Sequence, residues 1–440
     1  MKRACFPYFE EWRHDPERRV LLIRGARQVG KTFVVRSFGA AFSHYIEVNF
    51  EESREVRSFF SGYLDVDTIC RNLSAFYKKP VIDGETLLFF DEIQACPDAL
   101  RSLRFFHEKR PSLHVVAAGS LLEFALGDLP SFGVGRISSL YMYPLSFKEF
   151  LWALEEERLW DAVCNASFAD PPHAAIHNRL IEHVRLHQLI GGMPAVVDRY
   201  RRTHDLLACQ DLLDDLLRTF RDDFAKYASR LPVTKLRDTF SSVAYQAGGK
   251  FMYARAAQDT SIQSYKTALE LLTQAGLVYK IHHTSARGIP LGAQIDERKF
   301  KACLLDTGLH QRLLGLDLGT HLAEQPERLY TTGSLAEVYA GLALIAGMPP
   351  RNPASLYYWH REARTSNAEI DYVISRGADI IPIEVKAHVR GAMKSMHAFI
   401  AEGRAGRGIR LSHENFASCG AIDVVPLYAA ELIPSMKMPA

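Results

Sequence analysis

One short run, LLIRGARQVGKTFVV at 21–35, limits what this chain can fold into more than any other feature. Arg19-Val20-Leu21-Leu22-Ile23 reads as a buried strand, and Phe33-Val34-Val35 opens an apolar helix. Between them, Gly25-Ala26-Arg27-Gln28-Val29-Gly30-Lys31-Thr32 has the spacing GxxxxGK[ST]. Glycines let a backbone turn tightly enough to aim its N–H groups at phosphate oxygens, and the helix N-terminus behind them favours the same anion. Lys31 supplies a cation for the β- and γ-phosphates, and the Thr32 hydroxyl a ligand for Mg²⁺. The expected cradle runs from Gly25 to Phe33, with ATP and Mg²⁺ as expected cofactors.

Strand, loop and helix in this order imply a parallel α/β sheet, and later runs supply further strands. Thr86-Leu87-Leu88-Phe89-Phe90 is continuously apolar, as a strand buried on both faces must be, and it ends in Asp91-Glu92. Ligands bind at the carboxyl edge of such sheets. Asp91 is therefore expected to hold Mg²⁺ through water, and Glu92 to act as general base on the attacking water. A third strand, 113–118, leads to Gly119-Ser120. Ser120 is a candidate γ-phosphate sensor; the alternative is an N-cap for a helix at 121–126. Gly135-Arg136 precedes a further strand at 137–143. Arg136 is a candidate γ-phosphate finger, acting on a neighbouring subunit if the chain assembles, and otherwise a surface arginine.

Residues 147–225 read as largely helical, broken at Pro171-Pro172 and at Gly191-Gly192. His183 and His187 share a helix face, but no third metal ligand accompanies them. Net charge is only +2 over 440 residues, yet 226–301 holds twelve Lys/Arg against five Asp/Glu. That is a possible footprint for a phosphate backbone, the alternative being a solvated basic face. Within it, Asp259-Thr260-Ser261 starts an expected helix whose Ile262, Tyr265, Leu269 and Leu272 face one core, with a strand at 277–281 and a hairpin tip at 282–288. Helix, strand and hairpin are the expected closing half of a winged helix, with Lys266, Lys280 and Arg287 available to DNA, the alternative being a rigid spacer or a protein-binding module.

A second constellation lies in NAEIDYVISRGADIIPIEVKA, 367–387. Strand alternation sets Glu369 and Asp371 on one face, and Glu384 and Lys386 together on a face of the next strand. Asp371 and Glu384 there can bind Mg²⁺, Lys386 can position a water, and Glu337 can join from the helix around 335–339. A salt-bridged Glu-x-Lys on a strand face is the alternative.

RGARQVGKT, LLFFDEIQ, VVAAGSLLEF and LYMYPLSFKEF resemble a prokaryotic family of AAA-type P-loop ATPases, as do Gly191-Gly192-Met193-Pro194 and KACLLDTGL at 301–309. The resemblance implies an α/β multidomain chain: an ATPase core at 1–155, a helical lid at 156–225, a winged helix at 226–300 and a PD-(D/E)XK nuclease-like domain at 301–440. It gives Lys31, Thr32, Asp91 and Glu92 the ATPase roles, and it matches Glu337, Asp371, Glu384 and Lys386 to the nuclease pattern. Ser120 stands where many AAA-type proteins have Asn.

Three functions follow as expectations: an ATP-regulated metal-dependent nuclease, an ATP switch that binds nucleic acid without cutting, and a nucleotide switch whose partner is a protein. With no apolar run long enough for a bilayer, no apolar core in the opening residues and seven cysteines without a CxxC, a cytoplasmic protein with no membrane partner is expected.

Overall fold

The computed structural model describes residues 1–62, 65–120, 122, 126, 135–227, 231–257, 262–319, 333–361, 368–386 and 393–436. The helix start expected at 259–261 and most of the helix expected at 121–126 lie outside them. The chain forms two bodies, one of residues 3–143 with 349–353, the other of 1–2, 144–348 and 354–440.

In the first body the apolar runs become β1 (Val20–Arg24), β2 (His44–Asn49), β3 (Thr86–Asp91), β4 (His114–Ala118) and β5 (Ile137–Tyr141). They form one sheet in the order β2-β3-β4-β1-β5, and every pairing is parallel. β3 and β4 are buried at every residue, which is why they carry no polar alternation. Four helices accompany the sheet among the described residues: α1 (Phe6–His14), α2 (Lys31–Gly39), α3 (Val66–Tyr77) and α4 (Pro97–Lys109). Asp65 caps α3 by accepting from the Thr68 N–H at 3.0 Å, and proline opens α4, where its missing N–H costs nothing. Phe50, Phe60 and Phe90 meet edge-on in the core that α3 and α4 close.

The second body begins with helices: α5 (Phe147–Ala153), α6 (Glu157–Asn165), α7 (Ala174–Ile190), α8 (Pro194–Thr203), α9 (Leu206–Asp223), α10 (Val233–Tyr245), α11 (Tyr253–Ala256) and α12 (Ile262–Gln274). β6 (Val278–Thr284) and β7 (Ile295–Leu304) follow as an antiparallel pair. The strand expected at 277–281 thus continues through His282-His283-Thr284, and the turn comes later. The free edge of β6 pairs in parallel with β8 (Leu356–His360), so this hairpin belongs to a mixed sheet of order β12-β13-β11-β10-β9-β8-β6-β7. Its other members are β9 (Glu369–Arg376), β10 (Asp379–Lys386), β11 (Gly408–Ser412), β12 (Ala417–Cys419) and β13 (Ile422–Pro426). α13 (Thr307–Leu313) and α14 (Gly333–Ala346) lie between β7 and β8 in sequence, and α15 (Lys394–Ala401) between β10 and β11. No helix among the described residues is long and apolar enough to cross a membrane.

Two of the quoted motifs meet at one carboxylate. Asp306 caps α13 through the Leu309 N–H at 2.9 Å and accepts the Gly192 N–H at 2.6 Å. Gly191 has φ +75°, and a Cβ there would fall 2.1 Å from Asp306 Oδ1. GGMP and LLDTGL are therefore complementary halves of one joint. Burial pushes Asp306 up to about 6 from 3.8, although the backbone N–H groups of Leu309 and Gly192 oppose it. Glu431 is similar: burial pushes it up to about 7 from 4.5, against N–H and hydroxyl donors at Lys148 (3.2 Å) and Ser146 (3.0 Å).

Both groups keep their protons to higher pH when folded than when unfolded. Their contribution is fully present below about pH 4 and is lost as pH rises through 6 to 7. These two groups alone therefore make the second body less stable to urea between pH 4 and 7, while His187 and His310, which burial pulls down to about 4, oppose that slope. Asp306→Asn should flatten the part of that slope below pH 6, which is at most about 3 kcal/mol. An unchanged slope in urea melts of the variant would show that Asp306 does not titrate as described.

Candidate functional site

The 25–33 loop joins β1 to α2, as strand–loop–helix demands. Gly25 leaves β1 at φ +141°, and a Cβ there would lie 2.2 Å from the Met142 carbonyl oxygen, so glycine is required. Gly30, at φ +93°, forms the N-cap of α2, and Gln28 is also left-handed at φ +65°. Ala26 and Val29 are buried, which leaves the loop backbone rather than these side chains for ligand contact. Arg27 is half-buried and its charge lowers the Lys31 pKa, whereas Phe33 is 48% exposed. Lys31, the first residue of α2, donates from Nζ to the carbonyls of Gly25 (2.9 Å) and Ala26 (2.8 Å). Burial pulls it down to about 8, while Glu92 and Asp91 hold it up.

β4 runs between β1 and β3 in the sheet, so the ends of all three strands emerge side by side at the carboxyl edge. The Thr32 hydroxyl donates to Asp91 Oδ2 at 2.7 Å, and the Glu92 N–H donates to Asp91 Oδ1 at 3.0 Å. Burial raises the Asp91 pKa, and the Thr32 bond opposes it. A hydroxyl and a carboxylate in contact make the all-oxygen donor set that Mg²⁺ takes, usually alongside waters and phosphate oxygens. Glu92, left-handed at φ +47°, turns away from the strand, and its Oε2 accepts from Ser120 Oγ (3.2 Å) and the Ser120 N–H (3.4 Å). Ser120 thus sits between the phosphate loop and the acidic pair, bonded to the expected base.

Gln94 completes this contact and carried no role in the sequence reading. Its Nε2 donates to Glu92 Oε2 at 2.6 Å, and a Cβ at Gly119 would fall 2.1 Å from its Oε1. The signal was present in DEIQ and AAGS, but only tertiary pairing of β3 with β4 gives it meaning. Arg136 stands apart from this group. It precedes β5, whose first residue Ile137 is level with Val20 at the start of β1, so it lies at the amino edge of the sheet. There it pairs with Glu108 of α4. The length of a strand separates it from its own chain's phosphate loop.

The second constellation also assembles. In β9 and β10, Ile383 lies across from Tyr372, and the same register sets Glu384 across from Asp371. Asp371 Oδ2 accepts the Val385 N–H at 2.8 Å. Helix α14 is fixed by the Tyr372 hydroxyl, which donates to the Glu337 carbonyl at 2.7 Å and would meet any Cβ at Gly341 at 2.4 Å. This brings the Glu337 side chain to Lys301, a residue of β7 that spacing did not single out. Lys301 Nζ is 2.8 Å from Glu337 Oε1, 2.6 Å from Glu369 Oε1 and 3.7 Å from Asp371 Oδ1. Lys386 Nζ is 2.6 Å from Glu384 Oε1.

Four carboxylates thus face two ammonium groups, an excess of negative charge in a buried place. Burial and Asp371 push Glu337 up to about 8 against the pull of Lys301, and burial raises Asp371 and Glu384 as well. Glu384 is 4% exposed, and its Oε2 is buried with no hydrogen-bond partner. Two carboxylates, one with an orphaned oxygen, fit a divalent cation whose remaining ligands are waters. Among the described residues no three His, Cys, Asp or Glu side chains are placed to hold a metal. His183 and His187 do not converge on one: His187 Nε2 is 3.2 Å from the Leu145 carbonyl, and His183 Nε2 is 3.8 Å from Glu156.

Residues 17–151 match a family model described as an AAA domain. Residues 181–319 and 332–430 match two models described as domains of unknown function. No curated protein matches this sequence. Among solved structures, a Walker-type ATPase of Pyrococcus abyssi is 16% identical, covering 70% of this chain and 93% of that one, with a TM-score of 0.45. A signal-transduction ATPase with a tetratricopeptide-repeat sensor from Pyrococcus horikoshii is 12% identical, covering 78% of this chain and 45% of that one, at 0.26. The Cdc6p protein of Pyrobaculum aerophilum is 10% identical, covering 68% and 87%, at 0.23. The matched segment, the parallel sheet and the phosphate loop together make residues 17–151 an AAA-type P-loop domain.

Proposed function

We propose that this protein hydrolyses Mg²⁺-bound ATP at the 25–33 loop and uses the cycle to control its hold on nucleic acid. The observation that carries the reading is the contact of Thr32 with Asp91 beside a buried Lys31, with Glu92 aligned by Ser120 and Gln94. When bound, Mg²⁺ supplies charge stabilisation to the phosphate oxygens. Thr32 and Asp91 would hold it, and Lys31 would exchange its loop carbonyls for phosphate. Glu92 takes a proton from the attacking water, a role its bonds to Gln94 and Ser120 orient.

Lys31→Ala should remove nucleotide binding and turnover together. Glu92→Gln should keep binding and lower turnover by about a hundredfold or more, the ordinary contribution of a general base. Fluorescent-nucleotide titration beside a phosphate-release assay checks both. Full turnover in Glu92→Gln would remove the proposed base.

The nucleic-acid half rests on a cavity of about 580 Å³ in the second body, lined by Arg221, Arg237 and Arg255 with Tyr245, which is 69% exposed. Among the described residues none of these guanidinium groups is ion-paired or hydrogen-bonded, and Asp238 is the acidic residue lining the cavity. Arginines present forked donors to phosphate, and an exposed aromatic ring offers a face to a base. Of the lysines favoured by the sequence, Lys280 pairs with Glu270, whereas Lys266 is exposed, 5.9 Å from the Tyr253 ring centre. In salt titrations with labelled DNA, replacing Arg237 and Arg255 by Ala should make the slope of log affinity against log salt shallower by roughly two. Identical slopes would move the contact elsewhere. No binding by the unaltered protein in either nucleotide state would favour a protein partner.

A second reading, cleavage at the carboxylate cluster, is favoured by the orphaned Oε2 of Glu384 beside Asp371. Asp371 and Glu384 would hold Mg²⁺, which when bound polarises a phosphodiester, and Lys386 would position water. Asp371→Ala should then abolish cleavage while leaving ATP turnover intact. Cleavage that survives the substitution would end this reading.

A further inference from the structure

Resting on that second reading, the geometry points to a specific role for Lys301: its ammonium permanently fills the second of two neighbouring cation positions, so the cluster accepts one divalent ion and not two. Paired-metal sites set two ions roughly 3.5–4 Å apart on either side of a shared carboxylate. Asp371 stands where such a shared ligand would. Its Oδ1 faces Lys301 Nζ at 3.7 Å, while its other oxygen accepts the Val385 N–H on the Glu384 side.

Around Lys301 the remaining ligands of a second ion are already in use. Glu337 Oε1 and Glu369 Oε1 lie 2.8 and 2.6 Å from Nζ, and the Tyr358 ring centre is 5.4 Å away. Lys301 is 2% exposed, so this cage, not water, solvates the charge. An ammonium on a β-strand cannot dissociate as a metal ion can, and releasing it from its partners would leave a buried charge unpaired. The cation position at Glu337 and Glu369 is therefore occupied at all times. What remains is the Asp371–Glu384 position, where Glu384 Oε2 is still unpartnered.

The test counts Mn²⁺ bound to nucleotide-free protein by calorimetry and by electron paramagnetic resonance. Asp371→Asn identifies the ions that belong to this cluster. The unaltered chain should lose one bound ion on Asp371→Asn and show no spin-coupled pair. Lys301→Gln should bind one ion more and give the coupled signal of two adjacent Mn²⁺. Two ions in the unaltered cluster would overturn the role of Lys301 while sparing the metal reading. A spin-coupled Mn²⁺ pair in the unaltered chain would show this without any variant. No gain in a Lys301→Gln protein that melts cooperatively would also overturn it. No Asp371-dependent ion in the unaltered chain, with one gained by Lys301→Gln, would uphold Lys301 and remove the metal reading.

Discussion

Parallel pairing of β3, β4 and β1 is the constraint on which the nucleotide site depends. A parallel sheet sends every strand end to one edge, so an acidic pair on β3 and a glycine loop after β1 meet although 59 residues separate Thr32 from Asp91. The order also decides what lies between them. Because β4 is the intervening strand, Gly119-Ser120 enters the gap, and glycine there leaves space for Gln94 to reach Glu92. A larger residue at 119 would displace Gln94 and release the carboxylate from one of its donors. The apolar interior of β3 serves the same end, since a strand packed at every residue fixes the position of its terminal carboxylate.

The second body follows a different rule, that charge taken out of water must be matched where it stands. Asp306 is matched by backbone N–H groups, which is why glycines surround it at 191 and 192. Glu431 is matched by the hydroxyl and N–H groups that open α5. Lys301 is matched by carboxylates from α14 and β9. In each case residues distant in sequence are tied together, and each tie accounts for one stretch that looks like a motif but performs a structural task.

The contrast explains how much was legible beforehand. The placement of Lys31, Thr32, Asp91 and Glu92 at one edge was legible because local spacing sets each at the end of its strand or the start of its helix, and the sheet then brings them together. Asp371, Glu384 and Lys386 could be read because alternation along two strands and one tight turn fixes their faces. Arg136 could not be placed, since the sequence does not say whether the strand after it joins the sheet parallel or antiparallel, and so which of its ends meets the carboxyl edge. Only the first strand of the hairpin was readable, its turn falls later than 282–288, and its partner β8 lies more than fifty residues beyond β7, the pairing that makes it part of the large sheet. Lys301 was invisible for the same reason. Nothing around Lys301 in KFKACL announces that three carboxylates will arrive from elsewhere in the chain.

The two lysines of the carboxylate cluster have different physical status, although each touches a carboxylate at 2.6 Å. Lys386 is about one-third exposed and shares a strand with its partner Glu384, so solvent can replace either group and the ammonium can turn toward another ligand. Lys301 has almost no contact with solvent, and its partners sit on separate elements held by the Tyr372–Glu337 and Val385–Asp371 hydrogen bonds. Turning Lys301 away would require the helix or the strand to move with it. Position on the chain, rather than residue type, thus decides which lysine is free to take part in chemistry and which is a fixed part of the wall.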